Sequence, residues 1–147
     1  MAEFCFESGA NIVIAAHPHV IQPMKFYDYT MKSGEKKQAL VAYSLGNFVS
    51  NYATRRYSDG GAMIQFKLTK NTENKLQILN PEYQLIWVFR PIRKGVLRTY
   101  YVLPISEYEN STMVKGEFKT LMDTFIKDSR ELYNKENLNV PEYKFKK

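Results

Sequence analysis

The stretch Gly9-Ala10-Asn11-Ile12-Val13-Ile14-Ala15-Ala16-His17-Pro18-His19-Val20 indicates the class of the fold. Residues 12–16 are apolar and largely β-branched, which predicts a strand at 11–16 that is buried on both faces of a sheet. The residues before them predict the end of a helix that Gly9 terminates, because glycine adopts the left-handed C-cap conformation at little cost. A helix, a glycine and a buried strand in this order indicate an α/β protein.

Downstream of this strand, the sequence predicts antiparallel strands followed by a helix. Five segments rich in Val, Ile, Tyr and Phe predict strands at 24–30, 38–43, 61–70, 75–86 and 97–105. The polar residues at 31–35 and 70–74 are typical of hairpin connections. Apolar residues at three- and four-residue spacing predict a helix from about Thr112 to Tyr133. We therefore expect an α/β (α+β) fold with one domain over residues 1–147 and a basic tail at 134–147.

Composition limits the classes of function. The 147 residues are 44% apolar, which is enough for a hydrophobic core, and their formal charge of +6 favours anionic partners. We predict no nucleic-acid binding, since no aromatic-rich recognition motif accompanies the basic residues. One cysteine excludes an intramolecular disulfide. The apolar runs are too short to cross a bilayer, and no signal-peptide pattern opens the sequence, so we expect neither segment in these residues.

Both histidines of the chain, His17 and His19, directly follow the predicted buried strand, where α/β proteins collect ligands. Pro18 favours an extended backbone at His17, and residues two apart in an extended chain point to the same side. Two imidazoles would thus converge on one site, as suits Zn, Mn or Fe. Two ligands do not complete a metal site, so a hydrogen-bonded loop is the alternative interpretation.

A second candidate segment runs from Tyr43 to Phe48, where a predicted strand enters a tight turn. Gly46 suits a positive φ, and Asn47 suits a side chain that bonds its own loop. Ser44 invites comparison with a catalytic nucleophile, but the segment lacks the G-x-S-x-G elbow. A turn in which Ser44 and Asn47 bond backbone groups is the favoured interpretation.

A third candidate is the polar loop at residues 51–61, which contains the paired Arg55 and Arg56. Guanidinium groups bind carboxylate or phosphate through two parallel hydrogen bonds, so an anionic substrate would be held here. A solvated loop is the alternative interpretation.

Residues 9–23 and 43–49 resemble the paired motifs G-A-D-x-V-I-G-x-H-P-H-V-x-Q-P and Y-S-L-G-N-F of CapA-type, or poly-γ-glutamate synthesis, capsule proteins. The resemblance extends through Ile105, with a Gly-Gly strand after an Arg-rich loop. It departs at Asn11, where Asp is usual, and at Ala15, where Gly is usual. That family is related to calcineurin-like metallophosphoesterases, so the resemblance implies part of a metallophosphoesterase-like αββα sandwich with a two-metal site at its strand ends.

The resemblance also implies roles for individual residues and partners for the whole protein. His17 and His19 would be metal ligands, and no catalytic residue is assigned. The substrate-binding candidates are Tyr43, Ser44, Asn47, Arg55 and Arg56. The complete protein would bind divalent Mn, Fe or Zn and act on, or help assemble, an anionic cell-surface polymer such as poly-γ-glutamate. Its other partners would be capsule-synthesis membrane proteins, at the cell surface or membrane.

The family's earlier motifs, which supply an aspartate and a histidine, a second aspartate and an asparagine-histidine pair, have no counterpart in these residues. We therefore expect the C-terminal part of such a domain, inactive alone and with weak or no metal binding. A sheet that lacks strands exposes an edge, which predicts a homodimer through that edge. The alternative function is a non-catalytic scaffold, or a polyanion- or protein-binding domain, in which the histidines are structural.

Overall fold

A computed structural model describes residues 1–51, 57–91, 95 and 99–144. The elements in chain order are α1 (Ala2–Glu7), β1 (Ile12–Ile14), β2 (Ile21–Thr30), β3 (Lys36–Leu45), β4 (Gly60–Lys70), β5 (Leu76–Phe89), β6 (Tyr101–Pro104), α2 (Ile105–Tyr108) and α3 (Glu117–Glu136). Gly9 follows α1 with a φ of 105°, as the sequence predicts.

Among the described residues, the strands form two three-stranded sheets. In the first sheet β3 lies between β1 and β2, with β1 parallel to β3 and β2 antiparallel to it. In the second sheet β5 lies between β4 and β6, and both pairings are antiparallel. The predicted class is confirmed: a mixed α/β fold with mostly antiparallel strands and a C-terminal helix.

The central strand of the first sheet is not the one that the sequence predicts. Residues 11–16 contribute only the three-residue β1, which lies at the edge of the sheet and leaves Ile14 48% exposed. Residues 39–42 of β3 are fully buried, and they alternate between the main core and a smaller cluster around Phe6 of α1. The prediction of a strand buried on both faces is therefore wrong for residues 11–16 and fits β3, because an edge strand has a neighbour on one side only.

One continuous hydrophobic core joins both sheets to α3. Met24 of the first sheet, Trp87 of the second and Phe125 of α3 all belong to it, and each is at most 2% exposed. The apolar stripe predicted for the last helix thus packs in the core, although α3 begins later than expected, after Gly116, and ends at Glu136. Within the described ranges, no helix combines the length and apolar character needed to cross a bilayer.

The two predicted hairpins are confirmed. Residues 31–35 connect β2 to β3, and residues 71–75 connect β4 to β5. In the second connection the Asn71 side chain accepts hydrogen bonds from the backbone N–H groups of Glu73 and Lys75. The strand predicted at 97–105 is shorter, because β6 covers Tyr101–Pro104, while positions 97 and 98 lie outside the described residues.

Residues 134–144, which the sequence assigns to a basic tail, continue α3 to Glu136 and then lie against both sheets. Leu138 exchanges backbone hydrogen bonds with β2, and Tyr83 of β5 bonds the backbone at 141 and 143. Arg130 of α3 bonds both Glu109 and Glu142, and these carboxylates raise the pKa of Arg130. This segment therefore pairs with the edge strand β2 of the first sheet and with the part of β5 that β6 does not cover. It is tied to α3 by charge-assisted hydrogen bonds.

Candidate functional site

The two histidines lie in a turn, which we call the histidine turn (residues 16–19). His19 donates its backbone N–H to the carbonyl of Ala16 at 3.1 Å and has a φ of 59°. The extended backbone predicted for residues 17–19 is therefore wrong, because the chain reverses here to pass from β1 into β2. The rule that residues two apart point to the same side holds in a strand, so it does not apply to His17 and His19 in this turn. Both histidine residues are exposed.

The end of β3 forms a second turn, which we call the asparagine turn (residues 44–47). Ser44 is fully buried, and its Oγ accepts a hydrogen bond from the N–H of Gly46 at 3.2 Å. Gly46 has the expected positive φ, of 71°. These contacts favour the turn interpretation of Ser44 over the nucleophile interpretation, because the hydroxyl bonds its own turn.

Asn47 joins the asparagine turn to the histidine turn. Its Oδ1 lies 2.8 Å from Nδ1 of His19, and its Nδ2 donates to the carbonyl of Ser58 at 2.7 Å. Its backbone N–H donates to the carbonyl of Gly60 at 3.1 Å, and the residue is only 7% exposed. One buried side chain therefore connects the loop after β1, the end of β3 and the start of β4.

Gly60 and Gly61 allow β4 to approach the asparagine turn closely. Gly61 forms an isolated antiparallel bridge with Gly46. A Cβ atom on Gly61 would lie 2.5 Å from the carbonyl oxygen of Leu45 and 2.6 Å from that of Asn47. Only glycine permits this approach. The Gly-Gly pair is visible in the sequence, but nothing in the sequence identifies the asparagine turn as its neighbour.

The structure does not bring Tyr43 into this site. Tyr43 is 40% exposed, and alternation along β3 places it on the same side as Val41, which packs in the α1 cluster. Tyr43 instead influences Tyr27, which packs in the α1 cluster. Burial is the largest cause that raises the pKa of Tyr27, and the charge of Tyr43 is the second. Arg55 and Arg56, the other substrate-binding candidates, lie outside the described residues.

The chain's own residues do not fit a complete metal site. Among the described residues, no group of three or more His, Cys, Asp or Glu side chains is placed to hold a metal ion. The remaining positions carry none of these residue types in the sequence. Asp59, a carboxylate close to the site in the chain, instead accepts a hydrogen bond from Nε1 of Trp87 at 2.9 Å. Zinc sites in proteins take three or four protein ligands, so His17 and His19 would supply only part of such a centre.

Comparison with known proteins adds a family context to this geometry. A family model described as Bacterial capsule synthesis protein PGA_cap matches residues 1–52, which contain both turns. The PGA biosynthesis protein CapA of Bacillus subtilis (strain 168) is 32% identical over 78 residues, which are 53% of this chain and 18% of that protein. The Capsule biosynthesis protein CapA of Bacillus anthracis is 35% identical over 71 residues, which are 48% of this chain and 15% of that protein.

The chain thus spans less than a fifth of the length of these two relatives. No solved structure matches it significantly.

Proposed function

Since residues 1–52 match the family model of the bacterial capsule synthesis protein PGA_cap, we propose that this chain is part of a capsule or poly-γ-glutamate synthesis protein. Both relatives are named for capsule or PGA biosynthesis. The complete protein acts on, or helps assemble, an anionic cell-surface polymer, together with capsule-synthesis membrane proteins. The formal charge of +6 supports an anionic partner.

The observation that carries this proposal is the contact between His19 and Asn47. These residues belong to separate motifs of the matched region, and their side chains meet at 2.8 Å although 28 positions separate them. Metal-ligating histidines are usually oriented by a hydrogen-bond acceptor on the other ring nitrogen, and the amide oxygen of Asn47 is an acceptor at such a position. The contact supports a role for the histidine turn in a site, beyond the closing of a loop.

We assign His17 and His19 as part of a divalent Mn, Fe or Zn centre in the complete protein. The missing ligands would come from polypeptide beyond these residues, because the described part of the chain offers no third candidate beside the histidine turn. When bound, such an ion supplies Lewis-acid chemistry. The contribution of this chain's own residues is to orient an imidazole and to bring the asparagine turn beside it.

Metal analysis of the complete protein tests this proposal. The untagged protein is compared with the His17→Ala/His19→Ala double variant and with Thr72→Ala, a control in the exposed hairpin at the opposite end of β4. We expect bound divalent metal in the parent and in Thr72→Ala, a strong loss in the double variant, and a matching loss of polymer in cells that carry it. Unchanged metal content and unchanged polymer in the double variant would refute the metal assignment.

A second candidate function is a non-catalytic binding domain with structural histidines. The lack of a third metal ligand among the residues that the structure describes, together with the formal charge of +6, favours it. In that case the complete protein carries no stoichiometric metal, and polymer binding weakens steeply with salt, because exposed charges are screened. Salt dependence without metal therefore distinguishes this function from the first.

A further inference from the structure

We propose that Asn47 is a positioning residue that fixes which nitrogen of His19 carries the proton. The starting point is the hydrogen bond between Asn47 Nδ2 and the carbonyl of Ser58, at 2.7 Å. A backbone carbonyl has no proton and only accepts, so its partner must be the amide NH₂. The reverse orientation would place two acceptor oxygens at that distance, which is repulsive. The amide orientation of Asn47 is therefore determined by Ser58.

The orientation of Asn47 determines the protonation of His19. With Nδ2 directed at Ser58, Oδ1 faces Nδ1 of His19 at 2.8 Å. The amide oxygen only accepts, so Nδ1 must donate and carries the hydrogen. A neutral imidazole has one N–H, which leaves the lone pair on Nε2.

The position of the acceptor is held by the backbone as well as by the side chain. Asn47 is 7% exposed, and its N–H is bonded to the carbonyl of Gly60 at 3.1 Å. The bridge between Gly46 and Gly61 anchors the same turn to β4. Rotation of the amide away from His19 would break the bond to Ser58, and movement of the backbone would break the contacts with Gly60 and Gly61, so the amide is preorganised as an acceptor.

The consequence for chemistry is that Nε2 is the basic atom of the neutral His19 ring. Any metal ion or proton donor that binds the neutral ring does so at Nε2. The identity of that partner as a divalent metal rests on the proposed function above, whereas the tautomer follows from the hydrogen bonds alone.

Nitrogen-15 NMR of the imidazole rings in the full chain tests the inference. The chain contains only two histidines, so His17 provides an internal control in the same spectrum. At a pH at which the rings are neutral, we expect the wild-type His19 to be protonated at Nδ1 and unprotonated at Nε2. A wild-type ring protonated at Nε2 would overturn the proposal, and this measurement needs no variant.

Two substitutions then assign the effect to Asn47. Asn47→Leu removes the acceptor, so the Nδ1–H form of His19 should lose population while the signals of His17 stay in place. Asn47→Asp keeps an acceptor oxygen and should retain the Nδ1–H form. Retention of a single Nδ1–H tautomer in Asn47→Leu would show that another group determines the tautomer, and it would refute the positioning role of Asn47. A general loss of structure would move both histidines and is thereby distinguished.

A titration of the complete protein with Zn²⁺ separates this inference from the proposed function. Where the site holds metal, Asn47→Leu should weaken Zn²⁺ binding by roughly 10–100-fold, the usual loss when a ligand's hydrogen-bond partner is removed. If the Nδ1–H tautomer is present and Zn²⁺ does not bind, the metal assignment fails and the positioning role stands. If Zn²⁺ binds and the tautomer is Nε2–H, the positioning role fails.

Discussion

Gly61→Ala should destabilise the protein, although strand propensity alone predicts the opposite. Glycine inside a strand is less favourable than alanine by roughly 0.5–1 kcal/mol, so an unconstrained site would gain stability. At Gly61, however, the new Cβ would lie 2.5 Å from Leu45 O, 2.6 Å from Asn47 O and 3.0 Å from Asn47 N. Carbon contacts are relaxed only at about 3.5–4.0 Å. The added methyl group therefore forces a displacement of about 1 Å.

The displaced atoms all belong to the backbone of the asparagine turn, so no side-chain rotation relieves the clash. Overpacking of this kind costs typically about 1–3 kcal/mol, and rigid neighbours favour the upper end. Because the steric cost exceeds the propensity gain, we expect a net loss of about 2 kcal/mol. For a chain of this size, such a loss lowers the melting temperature by roughly 4–8 °C.

Urea unfolding followed by circular dichroism measures this loss, and NMR locates it. Gly61→Ala should also shift the NMR signals of His19 and Asn47. The reason is that Gly61 contacts the backbone of Asn47, whose side chain bonds His19. Gly34→Ala is the matched control: Gly34 has a φ of 87°, and nothing lies within 4 Å of its added Cβ. Gly34→Ala should lower the free energy of unfolding by about 1–2 kcal/mol through backbone strain and leave the NMR signals of His19 unchanged. A Gly61→Ala variant as stable as the parent, with unshifted His19 signals, would refute the close approach of β4 to the asparagine turn.

Three further predictions follow from other parts of the structure. Tyr133→Phe should raise the free energy of unfolding by about 1 kcal/mol, because the buried Tyr133 hydroxyl has no hydrogen-bond partner among the described residues; a loss in urea unfolding would contradict this. Burial raises the pKa of Tyr83 from 10.0 to about 12, so the unfolded chain loses this proton first and stability should fall as pH rises from 10 to 12. Tyr83→Phe should reduce that fall in urea midpoints; an equally steep fall would count against the reasoning. Association through the edge strand β1 should appear as a concentration-dependent mass in light scattering, and Ile14→Lys, at an exposed apolar position, should abolish it; a constant monomer mass for the parent would rule it out.

Local sequence patterns identified most of the elements correctly. Apolar and aromatic runs located β2 to β5, and polar Gly- or Asn-containing segments located both hairpins, because strand and turn preferences act over a few residues. The start of α3 was less well predicted, at Thr112 against Glu117, since the apolar spacing does not indicate that Gly116 precedes the first turn. Boundaries depend on capping geometry, which the apolar pattern does not contain.

The sequence identifies the residues of the histidine turn but predicts the wrong backbone for them. His17 and His19 stand out because they follow a predicted strand, and Pro18 favours an extended conformation. The structure instead closes a turn between Ala16 and His19, because β1 and β2 flank the same strand and the chain must reverse to reach β2. The preference exerted by one proline is thus overridden by the pairing of distant strands.

The amino-acid sequence alone is enough to establish the types of most elements, the residues of both turns and the glycine pair at which the close approach occurs. The tertiary structure determines which strand is central, which segments meet, and that Asn47 faces His19 across 28 positions of chain. The physical reason is range: propensity and periodicity are properties of neighbouring residues, whereas burial, hydrogen-bond partners and protonation depend on atoms brought together from separate segments.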